Sequence, residues 1–174
     1  ISLFNKPGPY YSSYPILAEW KTKAENFDHE KSLREFFYEN PNNPIYLYLH
    51  IPYCAKLCYY CSCNMHISNN RDTIKHFVGF LLKECEMLER FFQKNNIEPN
   101  IKEIHLGGGT PSHLTPEELK TLVNHIGKFV KINELKEFAM EIDPRTVNYK
   151  DFDTYADLGV DRISFGVQDF DAEV

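Results

Sequence analysis

Three short segments of this chain alternate, residue by residue, between apolar and mostly polar side chains, and helical sequence separates them. In 45–51, Ile45, Leu47, Leu49 and Ile51 face one way while Tyr46, Tyr48 and His50 face the other. In 137–143, Phe138, Met140 and Ile142 oppose Ala139, Glu141 and Asp143. In 162–168, Ile163, Phe165 and Val167 oppose Ser164, Gly166 and Gln168. A period of two marks a strand with two different faces. A fourth strand is expected over 101–106. Helices are expected from Thr73 to about Phe92, from the Thr115 cap to about Lys131, and from about Tyr149 to Leu158, where Gly159 stops the last. The order β1-α1-β2-α2-β3-α3-β4 implies parallel strands with right-handed crossovers. A doubly wound sheet buries both faces and reads as unbroken apolar runs. Three strands of one parallel sheet cannot all be edges. The pattern therefore predicts an α/β fold, a partial (β/α) barrel with helices outside and a polar lumen for a polar ligand.

The helical segments carry their own signals. Ile74, Phe77, Val78, Leu81, Cys85, Leu88 and Phe92 form one stripe, so Cys85 reads as a core residue. Thr115-Pro116-Glu117-Glu118 fits a capping box with Pro at the first helical position. Residues 29–39 read as a short helix, ended by Asn40-Pro41-Asn42-Asn43-Pro44. Residues 1–20 mix turn formers with Tyr10, Tyr11, Tyr14 and Trp20, which predicts an extended arm docked on the main domain. Two parts follow: 1–44, arm and short helix, and 45–174, the first part of a truncated barrel. The chain begins at Ile1 and ends soon after a strand, so it reads as a piece of a longer protein. Such a piece leaves an unpaired edge at each end strand. Alone it is expected to be inactive, and either unstable or paired with another copy.

Cys54, Cys58, Cys61 and Cys63 crowd into ten residues as C-x3-C-x2-C-x-C. Four thiolates complete a [4Fe-4S] cluster, and three leave one iron open to a small molecule. A buried helix face would explain positions 54, 58 and 61, but Pro52 before them and Ser62-Cys63-Asn64 after them argue against it. Disulfides suit the crowding poorly. A zinc site using all four thiolates stays open. The cysteines, Gly107-Gly108-Gly109, Glu141 with Asp143, and Gln168 all fall at or beyond C-terminal strand ends, where α/β barrels build active sites.

Three glycines remove side chains where backbone approaches a ligand, or else make a tight turn. No G-K-[ST] or G-x-G-x-x-G pattern is present, which discounts a phosphate loop. Glu141 points into the lumen and needs donors: ribose hydroxyls, an ammonium, or a lumen-facing Arg or His. Gln168 contacts a ligand or ties strands together. Tyr48 and His50 share the inner face, with His50 read as a hydrogen-bonded interior histidine.

A chain of 174 residues, 43% hydrophobic and 14% aromatic, supports one domain with a core. A net charge of −6 argues against nucleic acid as a partner. No apolar run approaches the length of a membrane span. Clustered thiols without a secretory signal predict a reducing cytoplasm.

The C-x3-C-x2-C spacing resembles the signature of the radical S-adenosylmethionine enzymes. In that family three cysteines bind a [4Fe-4S] cluster, S-adenosylmethionine binds its open iron, and one electron releases a 5′-deoxyadenosyl radical. Further motifs narrow the resemblance. They are Pro7-Gly8-Pro9-Tyr10-Tyr11-Ser12-Ser13-Tyr14-Pro15, Tyr48-Leu49-His50-Ile51-Pro52-Tyr53-Cys54, the four-cysteine array, Gly107 to Pro111, Glu141-Ile142-Asp143-Pro144-Arg145 and Gly166-Val167-Gln168-Asp169-Phe170. Together they resemble the front part of the oxygen-independent coproporphyrinogen III oxidase family.

That resemblance implies oxidative decarboxylation of two propionates of coproporphyrinogen III to vinyls, giving protoporphyrinogen IX in anaerobic haem synthesis. It implies that Cys54, Cys58 and Cys61 bind the cluster. Tyr48, Gly108 and Glu141 would contact one S-adenosylmethionine, and Tyr60, Gly109, Thr110 and Gln168 a second. Tyr60 stands where the family often has Phe, and the aromatic face is kept. An electron donor such as flavodoxin or ferredoxin, and a monomeric full-length protein, are implied as well. Two other functions compete: a haem chaperone or another tetrapyrrole-directed enzyme on the same scaffold, and a zinc-stapled structural domain.

Overall fold

A computed structural model describes residues 28–167 and 169–171. Its elements are α1 (His29–Glu39), β1 (Ile45–Ile51), β2 (Tyr53–Cys54), β3 (His66–Ile67), α2 (Arg71–Asn95), β4 (Ile101–Gly108), α3 (Pro116–Ile126), β5 (Glu137–Glu141), α4 (Tyr149–Asp157) and β6 (Arg162–Ser164). The expected arm and Gln168 lie outside the described residues.

The main sheet is parallel throughout, in the order β1-β4-β5-β6. Each new strand adds on the same side of the last, as in the opening strands of a barrel. A doubly wound sheet instead reverses at a switch point. One face carries the aliphatic residues. Ile51, Ile104, Leu106, Phe138 and Met140 are buried there in one cluster with Ile74, Val78 and Cys85 of α2 and Leu119, Leu122 and Ile126 of α3. On the other face Tyr46 and Tyr48 stay 63% and 55% exposed.

Local sequence fixes the ends of the helices. Asn70 caps α2 by accepting from the amides of Asp72 and Thr73, and Asn96 closes it in the left-handed region at φ 52°. These two asparagines make the helix longer than the expected 73–92. The expected capping box opens α3: Thr115 Oγ1 accepts from Glu118 N at 3.2 Å, and Glu118 Oε2 from Thr115 N at 2.8 Å. This helix stops at Ile126, not Lys131, because after Gly127 the amides of Lys128 and Phe129 turn to carbonyls three residues back, His125 and Ile126. Gly159 ends α4 as expected, at φ +90°.

Strand ends depart from expectation for reasons of pairing. β4 continues through Gly107 and Gly108 because β1 supplies partners, His50 and Ile51. β5 ends at Glu141, short of Asp143, where Pro144 offers no amide and Ser112 Oγ takes the Asp143 amide. β6 ends at Ser164, since its neighbour β5 has already stopped. The β2–β3 pair was not expected; two residues a side is too short for a periodic signal. Among the described residues no helix is long and apolar enough to cross a membrane.

Candidate active site

The inward faces of β1, β4 and β5 form a row of paired polar groups. Register sets Tyr48 beside His105 and His50 beside Gly107. The Tyr48 ring stacks on His105 with centroids 5.8 Å apart and planes 28° from parallel. His105 Nε2 lies 3.1 Å from Glu141 Oε1, and Gly108 N donates to Glu141 Oε2 at 3.3 Å. His50 Nε2 lies 2.7 Å from the Asn64 carbonyl, so that nitrogen is the donor. In the neutral ring Nδ1 then accepts from Tyr48 OH, 3.0 Å away.

Tyr48 and Glu141 thus share one side of the sheet. The Tyr48 phenol is pushed up from its ordinary value by partial burial, then by Glu141 and Cys63. Glu141 is open, with 44% of its side chain accessible. Its partner His105 is a lumen-facing residue of the second predicted strand, one of the two side-chain types anticipated for it.

The glycines serve close packing of the protein itself. A Cβ on Gly107 would stand 2.9 Å from Tyr48 Cε2. Gly108 has φ +118°, and a Cβ there would meet the Ile51 carbonyl at 2.8 Å. On Gly109 it would meet Pro52 O at 2.7 Å and Cys54 Sγ at 3.0 Å. Gly109 N and Thr110 N in turn donate to Ile51 O and Tyr53 O, at 2.8 and 3.1 Å. The end of β4 is therefore laced to the start of the cysteine loop. Thr110 is buried, with its hydroxyl 3.2 Å from Ser112 Oγ.

Cys54 lies on β2, and pairing with β3 closes the loop 55–65 that carries the other three. His66 N donates to Pro52 O at 2.6 Å and Ser68 N to Cys54 O at 3.1 Å. Within the loop Cys61 N reaches Cys58 O at 3.1 Å. All five cysteines are free thiols, and Cys85 is buried in the core as expected. Burial pushes the Cys54 thiol up to about 11, and Cys61, Cys58, Asp143 and Cys63 add to it. Cys63 is raised by burial and then by Cys61, Glu141 and Cys58. The four sulfurs therefore share one patch, in which the neighbouring thiols oppose ionisation of Cys54 and Cys63.

A bound metal centre reverses that penalty. Soft thiolates grouped on one open loop suit iron and sulfide. Among the described residues no three His, Cys, Asp or Glu side chains converge on a single-ion position. A cube of iron and sulfide is a larger object, held from outside.

Tyr60 is 62% exposed, and its phenol is pushed up from its ordinary value by desolvation and then by Cys58. Arg145 is an element that sequence reasoning missed. It grips Asp143 through Nε and Nη2 at 2.9 and 2.8 Å, and Nη2 also lies 3.4 Å from Cys58 Sγ. That grip holds the Asp143 carboxyl below its usual range, against the opposing effect of burial.

The profile of the Radical SAM superfamily matches residues 48–174, from the first stacked tyrosine onward. The chain belongs to this superfamily. Among curated relatives, oxygen-independent coproporphyrinogen III oxidase of Pseudomonas aeruginosa is 33% identical over all of this chain and 37% of its own length. Its counterpart in Helicobacter pylori J99 is 36% identical over 99% of this chain and 37% of its length. The solved structure of coproporphyrinogen III oxidase from Escherichia coli, a radical SAM enzyme, superposes with a TM-score of 0.74 at 29% identity. It covers 94% of this chain, which matches 36% of that one. The chain spans little more than a third of the length of the relatives it matches. Membership implies a [4Fe-4S] cluster and S-adenosylmethionine as cofactors.

Proposed function

We propose that this radical SAM chain is the front part of an oxygen-independent coproporphyrinogen III oxidase. The reaction is oxidative decarboxylation of two propionates of coproporphyrinogen III to vinyls, giving protoporphyrinogen IX. Each propionate loses a hydrogen atom from its β-carbon, releases CO2 and passes one electron to an acceptor. Similarity to relatives of that name along the whole chain supports the substrate. The observation that carries the reading is the row Tyr48–His105–Glu141–Gly108, which adjoins the cysteine loop at the C-terminal end of a sequentially ordered parallel sheet.

Cys54, Cys58 and Cys61 hold the cluster, which when bound supplies the electron that cleaves the sulfonium of S-adenosylmethionine. Glu141, steadied by His105 and the Gly108 amide, presents a carboxylate with 44% of its side chain open to ribose hydroxyls or an ammonium. Tyr48 offers an aromatic face on the same side. Tyr60, Gly109, Thr110 and Gln168 are assigned to a second S-adenosylmethionine. The arm and short helix of 1–44 form one part and the barrel start of 45–174 the other. A flavodoxin or ferredoxin type of donor, a cytoplasmic setting and a monomeric full-length enzyme complete the proposal.

Anaerobic reconstitution of the full-length protein with iron and sulfide, then reduction with S-adenosylmethionine, should yield 5′-deoxyadenosine in wild type and none in Cys58→Ala. Zinc uptake without iron or sulfide would overturn the cluster assignment. Haem uptake by the full-length protein without coproporphyrinogen turnover would replace the oxidase with a chaperone.

A further inference from the structure

A line of polar contacts runs from the segment after β4 to one sulfur of the cysteine loop. Ser112 Oγ takes the Asp143 amide at 3.0 Å and lies 3.2 and 3.3 Å from the hydroxyls of Thr110 and Thr146. The segment after β5 is thereby fixed to the segment after β4. The Asp143 side chain keeps only 17% of its surface. Its Oδ1 accepts from Arg145 N and Nε at 3.0 and 2.9 Å, and Oδ2 from Nη2 at 2.8 Å. Three bonds to one carboxylate, with Pro144 locking the backbone between, leave the guanidinium little freedom. From that clamped position Nη2 reaches Cys58 Sγ at 3.4 Å.

We propose that Arg145, aimed by Asp143, is a positioning residue for the cysteine loop: it holds Cys58 Sγ in place and, once a cluster is bound, donates to that sulfur and raises the cluster's reduction potential. The second half rests on the cluster reading above. A donor to a ligand sulfur stabilises the extra negative charge of the reduced state. Lysine cannot replace the planar fork, which meets carboxylate and sulfur at once.

Two measurements on Arg145→Gln, Arg145→Lys and Asp143→Asn test this. In the iron-free chain, amide hydrogen exchange at Cys61 should quicken in Arg145→Gln and Asp143→Asn, while α3 stays unchanged. After anaerobic reconstitution, the cluster midpoint potential should fall in Arg145→Gln, with Arg145→Lys and Asp143→Asn in between. Unchanged exchange in the iron-free variants overturns the positioning role. Equal potentials in clusters of equal iron content overturn the donation. If wild type takes up no iron and sulfide, it is the cluster assignment that fails, and hydrogen exchange still decides the positioning role.

Discussion

The two faces of the four-stranded sheet are cut from the same strands and obey opposite rules. The outer face is aliphatic and closed: Leu106, Phe138 and Met140 expose nothing. Its demand is volume, which many sequences of similar size meet. The inner face is open and polar, and its demand is pairing. Tyr48 needs His50, His50 needs the Asn64 carbonyl, and Glu141 needs His105 and the Gly108 amide. Among the described residues no buried side-chain nitrogen or oxygen lacks a partner. Stability therefore resides on one side and chemistry on the other, and substitutions should separate the two.

Cys58→Ala should make the largest difference. It should eliminate 5′-deoxyadenosine while the iron-free chain unfolds within about 0.5 kcal/mol of wild type, as removal of a loop side chain does. Phe138→Ala should do the reverse. It empties a fully buried site and should cost about 3–5 kcal/mol. The reading is a lower urea midpoint with an unchanged slope, while cleavage per folded molecule persists. A Cys58→Ala chain that unfolded as readily as Phe138→Ala would erase the distinction between the faces.

The same division decides what could be read in the sequence. Period-two alternation assigned Tyr48 and Glu141 to one face because parity needs no knowledge of neighbours. The helical stripe likewise placed Cys85 inside, and the Thr115 box named its own two partners. The Glu141–His105 pair depends on register between β4 and β5, which alternation does not encode. The signal lay in Ile104 and Leu106 alternating with Glu103 and His105. Arg145 and Cys58 are 87 residues apart and touch only because two loops meet at one end of the sheet. The glycine triplet was legible as a place of close approach. That the approaching groups are Tyr48, Ile51 and Cys54 follows from the pairing of β4 with β1.

Gly108 sits where the faces meet, so Gly108→Ala should damage both. Its φ of +118° disfavours any side chain, at about 1–3 kcal/mol. The added methyl would also strike the Ile51 carbonyl, which pairing holds rigid. Urea unfolding should show that loss, and 5′-deoxyadenosine formation should drop as the amide moves off Glu141. Gly107→Ala is the comparison: its φ is not positive, and its methyl would press on the ends of two side chains, Tyr48 and His105, rather than on backbone, so its loss of stability should be smaller. Equal losses from the two would mean that neither the Ile51 carbonyl nor the φ of Gly108 sets the glycine requirement.

The smallest effect, absent at neutral pH, compares one cysteine from each face. Cys54 and Cys85 are both pushed up to about 11 from an ordinary 9.0, with burial the first cause in each. The next cause differs: the other loop thiols for Cys54, Glu84 for Cys85. A raised thiol pKa means that the fold favours the neutral form. Its contribution is complete below pH 9 and fades as pH climbs towards 11. Tyr155, pushed up to about 12 from 10.0, fades later. Iron-free wild type should therefore lose stability between pH 9 and 11, and Cys85→Val should flatten part of that loss. Cys54→Ser should flatten another part, and replacing Cys58 or Cys61 should shrink the Cys54 share while leaving that of Cys85 intact. Urea titrations at pH 8, 9, 10 and 11 would read all three. If removing the loop thiols flattened the Cys85 share as well, the two faces would be coupled through the sheet and the separation argued above would not hold.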